Sequence, residues 1–311
     1  MIRAVGYRLL QAALVALMVG LLTFVLVHAL PGDMAFRIAA GRYGYDWVDA
    51  AAAAAVREEL GLDQPALVAL GHWLWDLLRF DLGNSLVSGD PVMEEIRHQL
   101  GHSLTLAALA VGLSLLMGPP LGMLAGLRPG GLLDRLSLLL ATVGRALPHF
   151  VIGILLVMLL AVQLNWLPAA GHGTLAHAVL PALTLALCLA AVSSRVARDA
   201  MAAVATSPYY AFGRTKGLSE PLVFLRHGLR NVGVPVVAYQ GVQFVYLIEG
   251  VVVVETLFAW PGIGHALVHA IVARDVPMIQ GTALVMGLLF VLLNAMVDLL
   301  CHLIDPRRRP A

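Results

Sequence analysis

The stretch SSRVARDAMAAVATSPYYAFGRTKGLSEPLVFLRHGLRNVGVP, residues 193–235, lies between two long apolar runs. It holds Arg195, Arg198, Arg214, Lys216, Arg226 and Arg230, six of the chain's 20 basic residues, and Lys216 is the only lysine. That much charge does not sit in lipid, and the segment is too short to be a domain. A basic loop between membrane spans belongs on the cytoplasmic side.

The loop carries its own punctuation. Ser207 followed by Pro208 reads as an N-cap with proline at the first helical position. Gly217 reads as the residue that stops that helix. Ser219 and Pro221 start a second helix running toward Arg230. The expectation is two short helices joined at Gly217 and able to move together.

The composition agrees with a membrane location. Of 311 residues, 60% are hydrophobic and 13% charged, where soluble domains are nearer 25% charged. A net charge of +1 carries no nucleic-acid signal. Cys188 and Cys301 both lie in apolar runs, which argues against a disulfide framework. No Cys and His spacing suggests a metal site.

Residues 9–30 are apolar and long enough to span, since about 20 residues cross the hydrocarbon. They read as an uncleaved first helix with its N-terminus inside. Residues 31–101 form an acidic, amphipathic excursion outside the membrane. The remaining spans are expected at 102–127, interrupted by Gly118-Pro119-Pro120, then at 136–164, 179–196, 232–257 and 278–304. The coupling loop proper covers 198–231, the five-helix core 102–304, and a basic tail 305–311. Arg3, Arg8, Arg128, Arg135, the six loop residues and Arg307, Arg308 and Arg309 then fall inside, as the positive-inside rule asks. The fold class is all-α membrane protein, six transmembrane helices, both termini cytoplasmic.

Polar residues inside the spans are the candidates for function. Tyr239, Gln243, Tyr246 and Glu249 recur on one face of the fifth span. Such a stripe either lines a substrate path or bonds to a neighbouring helix. Arg145 and Asp298 lie in apolar surroundings, where a charge is costly and needs a partner. His265 and His269 are one turn apart in the last outer segment, a spacing compatible with a metal, though no histidine is assigned as a ligand.

Tyr209-Tyr210-Ala211-Phe212-Gly213-Arg214-Thr215-Lys216-Gly217-Leu218, then Arg226-His227-Gly228-Leu229-Arg230-Asn231 and Pro235, resemble the coupling loop of ABC-importer permeases. The match is to the dipeptide, oligopeptide and nickel family, whose pattern is roughly Y-x-x-x-A-R-A-K-G-L then H-x-L-R-N-x-x-x-P. Gly213 and Thr215 depart from it where alanines are usual, and Pro208 stands for the common aspartate. Further landmarks follow in family order. They are Pro31-Gly32-Asp33, Leu60-Gly61-Leu62-Asp63-Gln64-Pro65, Phe80-Asp81-Leu82-Gly83-Asn84-Ser85, Glu255-Thr256-Leu257-Phe258-Ala259-Trp260-Pro261-Gly262-Ile263-Gly264, Arg274-Asp275-x-Pro277, Gln280-Gly281 and Asp305-Pro306-Arg307.

The resemblance implies a permease subunit of a bacterial inner-membrane importer. It implies a second homologous permease subunit, two cytoplasmic ATP-binding subunits that carry ATP and Mg, and an extracytoplasmic substrate-binding protein. Tyr209, Tyr210, Phe212, Arg214, Lys216 and Gly217 would couple to the ATPase. Cargo is expected to be di- or oligopeptides, with nickel or another metal chelate as the alternative. A self-contained channel or secondary transporter is the second alternative, but no inverted repeat is visible. The chain has no G-x-x-x-x-G-K-[ST] and no G-x-S-x-G or H-E-x-x-H signature. It is therefore expected to be no enzyme itself, to bind no cofactor and to have no catalytic residue.

Overall fold

The computed structural model describes the backbone of residues 2–29, 32–44, 46–60, 65–79 and 81–304. Within these, side chains are described except at 2–5, 27–28, 66–67, 78, 230, 245–246, 248–250 and 300–304. The tail at 305–311, Pro31, the 61–64 landmark and Phe80 lie outside the described residues.

Thirteen α-helices follow one another among the described residues. They are α1 (Ile2–Ala29), α2 (Met34–Tyr43), α3 (Ala50–Leu60), α4 (Ala66–Leu78), α5 (Val92–Leu127), α6 (Leu132–Ala146) and α7 (His149–Leu156). After them come α8 (Leu175–Ala205), α9 (Pro208–Thr215), α10 (Glu220–Val223), α11 (Arg230–Leu257), α12 (Ile263–Ala273) and α13 (Val276–Ile304). Wider π-helical turns continue α7 over Val157–Gln163 and join α10 to α11 over Phe224–Leu229. Four single helices are long and apolar enough to cross a membrane: Gly6–Leu26 within α1, Val92–Leu127, Leu175–Ala205 and Val276–Leu299. α11, at 28 residues, is about 42 Å long at 1.5 Å per residue.

Two expected spans differ in shape. The second begins as a helix at Val92, not near residue 102, and runs unbroken through Pro119 and Pro120. The third is cut at Leu147-Pro148, where α6 and the helix from His149 to Gln163 meet at 105°. Proline disfavours the helical region for the residue before it, and Leu147 is extended (φ −90°, ψ 130°). The bent pair adds a fifth crossing if it counts as one span.

The chain divides into two compact units. The first comprises Met1–Ser103 and Pro261–Leu292. Asp33 caps α2 by accepting the Ala35 amide at 2.9 Å. Ala35, Ile38 and Ala39 of α2 bury themselves against Val56 of α3. The start of α12 is held by Ser103, whose hydroxyl accepts the Ile263 amide at 2.9 Å. Arg274 ends α12 in the left-handed region (φ 56°), and its guanidinium donates to the Gly32 carbonyl at 2.9 Å. Asp275 is buried and accepts the Ser85 hydroxyl, the Leu86 amide (3.1 Å) and the Met278 amide (3.3 Å). One carboxylate thus caps α13 and fastens the loop before α5.

The second unit, Leu104–Trp260 with residues from Leu293 on, holds the loop from which the fold was read. Its main core joins α5, α8 and α11 through Leu106, Leu180, Leu185, Val254 and Phe258. α11 ends at Phe258-Ala259-Trp260, where Ala259 is left-handed (φ 48°) and the Trp260 amide returns to the Glu255 carbonyl at 2.8 Å. The Gly171 amide donates to the Phe258 carbonyl at 2.8 Å and fixes the turn after residue 166.

Candidate functional site

The short helix α9 forms where the sequence punctuates it. Ser207 is extended (φ −75°, ψ 148°) and Pro208 occupies the first turn. The cap is nevertheless not made by the serine side chain. The Ser207 hydroxyl donates backward to the Val204 carbonyl at 2.5 Å and stitches α9 to the end of α8. At the other end Gly217 is left-handed (φ 77°). The Gly217 amide donates to the Arg214 carbonyl (2.9 Å) and the Leu218 amide to the Gly213 carbonyl (3.3 Å). These paired bonds satisfy the Gly213 and Arg214 carbonyls, and the φ > 0 they need favours glycine.

The aromatic residues divide between two faces. Tyr209 and Phe212 are 45% and 60% exposed, one helical step of three apart. Tyr210, expected to couple to the ATPase together with them, is fully buried. It packs with Met123 of α5, Met201 and Val204 of α8, Val223 of α10 and Val232 of α11. Burial pushes its phenol pKa up, and Glu220 adds to the shift. The sequence YYAF did not say which tyrosine turns inward. Gly213, three residues on and buried, marks the inward face.

Charge on α9 is also distributed otherwise than expected. Arg214 is already paired, with Glu220 at 2.7 Å, and lies over the Tyr210 ring at 5.3 Å. The Lys216 ammonium stands over the exposed Phe212 ring at 4.7 Å. Tyr209 and Phe212 are the exposed rings of the helix, with Ala211, Arg214, Thr215 and Lys216 exposed beside them. Gly213 can accept the alanine usual in the resembling family. Its nearest neighbours would be the Val223 methyls, 3.4 Å from an added Cβ. Gly213→Ala should stabilise the chain by about 0.5–1 kcal/mol. A rise of a few degrees in the thermal midpoint, with transport unchanged, checks this.

Two features behind α9 were missed in the sequence. The first is Gly118, Gly122 and Gly126, four apart on α5. A Cβ on Gly122 would overlap the Ser194 carbonyl oxygen, one on Gly118 would lie 2.8 Å from Ala190 O, and one on Gly126 2.5 Å from Arg198 O. Small residues every fourth position let membrane helices approach backbone to backbone, so the spacing was a usable signal. The second is a fork between helices. Arg198 on α8 donates from Nε to one Asp134 oxygen (2.8 Å) and from Nη2 to the other (2.7 Å). Two parallel bonds of this kind fix orientation as well as distance.

The polar stripe on α11 is described in part. Tyr239 and Gln243 are half-buried, and the Gln243 amide donates to the Tyr239 hydroxyl at 2.5 Å. The side chains of Tyr246 and Glu249 lie outside the described residues. An interhelical bond from this helix is made by Gln240, one residue round, which is buried and donates to Ser114 of α5 at 3.2 Å. Arg145 and Asp298, expected in buried surroundings, both stand exposed on the single chain. Arg145 sits in the last turn of α6, just before the Leu147-Pro148 break, which carries it to the helix end. His265 and His269 face each other with Nε2 atoms 3.1 Å apart. Burial, and then His269, pushes the His265 pKa down. Among the described residues no group of three or more His, Cys, Asp or Glu gathers as a metal site.

Long apolar helices, a Gly-lined helix seam and a capped interhelical loop define a multi-pass α-helical membrane protein. Residues 118–310 match the family described as binding-protein-dependent transport system inner membrane component. Residues 1–107 match the N-terminal membrane component of the same systems. The chain belongs to this family, the permeases of ABC importers, on its peptide branch. The glutathione transport system permease protein GsiC of Pectobacterium atrosepticum is 40% identical over 302 residues, covering 97% of each chain. A peptide transport system permease protein of Brucella abortus is 41% identical over 310 residues, again 97% of each. Among solved structures, an amino acid ABC transporter crystallised with histidines has a TM-score of 0.53 at 14% identity. It covers 68% of this chain and 94% of its own, and shares the fold alone.

Proposed function

We propose that the chain carries short peptides through the bacterial inner membrane, driven by ATP hydrolysis on separate cytoplasmic subunits. The observation that carries this reading is α9. It is closed at its C-terminus by paired backbone bonds, pinned to α5, α8, α10 and α11 by Tyr210, and presents Tyr209 and Phe212 outward. A body so held transmits a push on its outer face to the helices behind it. The peptide and glutathione names of relatives matching along the whole chain support a peptide cargo over a nickel chelate.

The working assembly in this reading has two homologous permease subunits, two ATP-binding subunits holding ATP and Mg2+, and an external binding protein that delivers the peptide. This chain binds no cofactor of its own. Tyr239, Gln243, Tyr246 and Glu249 line the path. Arg145, exposed on the single chain, finds its partner in the neighbouring permease subunit. Uptake of a labelled dipeptide by the reconstituted assembly tests the reading. Uptake that needs both ATP and the binding protein is expected, and uptake in the absence of either contradicts it.

Six crossings with both termini cytoplasmic place residues 31–101 outside and α9 inside. Cysteines at Ala52 and Thr215 should then react with an impermeant reagent from opposite sides of the membrane. Ala52 is half-buried and Thr215 exposed, so Ala52→Cys should label more slowly. Labelling of both from one side contradicts this topology.

A further inference from the structure

The import mechanism gives no task to His265 and His269, which lie four apart on one face of α12. Their rings meet edge to face, with centroids 4.5 Å apart and planes at 70°. The two Nε2 atoms stand 3.1 Å apart, one donating and the other accepting. His269 is exposed and His265 half-buried, so solvent reaches the pair.

The separation is a chelating one. Zinc binds an imidazole nitrogen at about 2.0–2.1 Å. An ion at that distance from two nitrogens 3.1 Å apart makes an angle of about 100° with them, between the octahedral and tetrahedral values. The lone pair of an imidazole nitrogen lies in the ring plane. Rings set edge to face need only a small turn for two such lone pairs to converge on one point. A second pair at the same spacing, His98 and His102 on α5, gives the contrast. Those rings stack with centroids 4.9 Å apart and planes within 23° of parallel, so their lone pairs run side by side and do not meet. Burial, and then His269, pushes the His265 pKa down and favours its neutral ring, the form a metal binds.

We infer that His265 and His269 together bind one exchangeable divalent transition-metal ion of the zinc and copper class. Imidazole nitrogen suits these ions, whereas magnesium and calcium take oxygen ligands. Two histidines at this helical spacing present both nitrogens to one ion. The ion takes both Nε2 lone pairs, and the ring that had donated carries its proton on Nδ1 instead. Among the described residues no third His, Cys, Asp or Glu gathers with the pair. Water therefore fills the remaining positions, and the ion is an exchangeable guest, not a resident cofactor. On the proposed topology α12 lies outside the membrane, where it meets ions of the surrounding medium. The site needs neither partner subunits nor a peptide, so it stands or falls apart from the import reading.

The test uses the purified full-length chain, free of any histidine tag, in lipid nanodiscs, with Zn2+, Cu2+ and Mg2+ each added alone. Titration calorimetry should find Cu2+ tighter than Zn2+, the order for nitrogen sites, and no binding of Mg2+. The electron spin-echo spectrum of one equivalent of bound Cu2+ should report two imidazole ligands. His269→Ala changes an exposed residue, so the metal-free chain should keep its thermal midpoint. Its Zn2+ affinity should fall at least about tenfold, the low end for losing even a residue behind a ligand. His265→Ala should weaken Zn2+ as much. His269→Cys, which puts another zinc ligand at the same place, should keep most of the binding under reducing conditions. His98→Ala should leave it unchanged. Zinc affinity that survives His269→Ala, or falls as far in His98→Ala, overturns the inference. So does a Cu2+ spectrum with a single imidazole, or a parent chain that shows no saturable Zn2+ binding.

Discussion

Gly122→Val should abolish the folded transporter, whereas Gly112→Val, ten residues earlier on the same helix, should leave it intact. Gly122 packs α5 directly on the α8 backbone, with no room for a Cβ before the Ser194 carbonyl oxygen. Gly112 has nothing within 4 Å of an added Cβ. A valine at 122 cannot be relieved by turning a side chain, because the obstacle is main chain. The helices must separate, and Gly118 and Gly126 lose their close approach with it. Overpacking costs about 1–3 kcal/mol where side chains can adjust, so at least about 3 kcal/mol is expected here. The measurement is the yield and thermal midpoint of each variant in detergent. The Gly122 variant should aggregate or melt well over 5 °C lower, and the Gly112 variant should match the parent.

The second large effect is expected on α9 and separates its two faces. Tyr209→Ala with Phe212→Ala removes two exposed rings. Surface substitutions away from special features change stability by about 0.5 kcal/mol or less. Exposed aromatic anchors, once docked, are worth about 2 kcal/mol or more each. The double variant should therefore insert and fold normally while peptide-stimulated ATP hydrolysis and uptake fall at least tenfold. Tyr210→Ala should act in the opposite order. It opens a cavity among Met123, Met201 and Val223, and an aromatic-to-alanine change in a core costs about 3–5 kcal/mol. Loss of stability would then precede and explain any loss of transport. Should the aromatic rings merely rest in the lipid headgroups, the Tyr209 and Phe212 changes would leave the ratio of hydrolysis to uptake as it was.

What the sequence made legible was local. Ser207-Pro208, Gly217 and Ser219 mark the ends of their helices, though neither serine side chain makes a cap bond, because a proline in the first turn and a left-handed stop depend on a few adjacent residues. The apolar runs were long enough to declare most spans by themselves. What stayed hidden depended on partners distant in the chain. Nothing near Tyr210 tells that Met123 and Val232 will cover it. Nor does Asp275 reveal from its neighbours that it will hold Ser85, 190 residues away. Nor was the pairing of Arg214 with Glu220 legible, because Glu220 lies beyond the glycine turn, where helical spacing no longer applies. Two misses had readable signals: the four-residue glycine spacing on α5, and Pro148, which breaks the third span.

The central claim is that the outer face of α9 meets an ATPase and moves with it. It is tested by placing a single cysteine at Phe212 in a chain carrying Cys188→Ala and Cys301→Ala. A second cysteine goes into the docking groove of the ATP-binding subunit, and the assembled transporter is oxidised. The account predicts a disulfide cross-link between the two subunits that stops ATP hydrolysis and is reversed by reductant. Full hydrolysis and uptake with no cross-link to any groove position, while the Phe212→Cys thiol reacts only with lipid-soluble reagents, would contradict it.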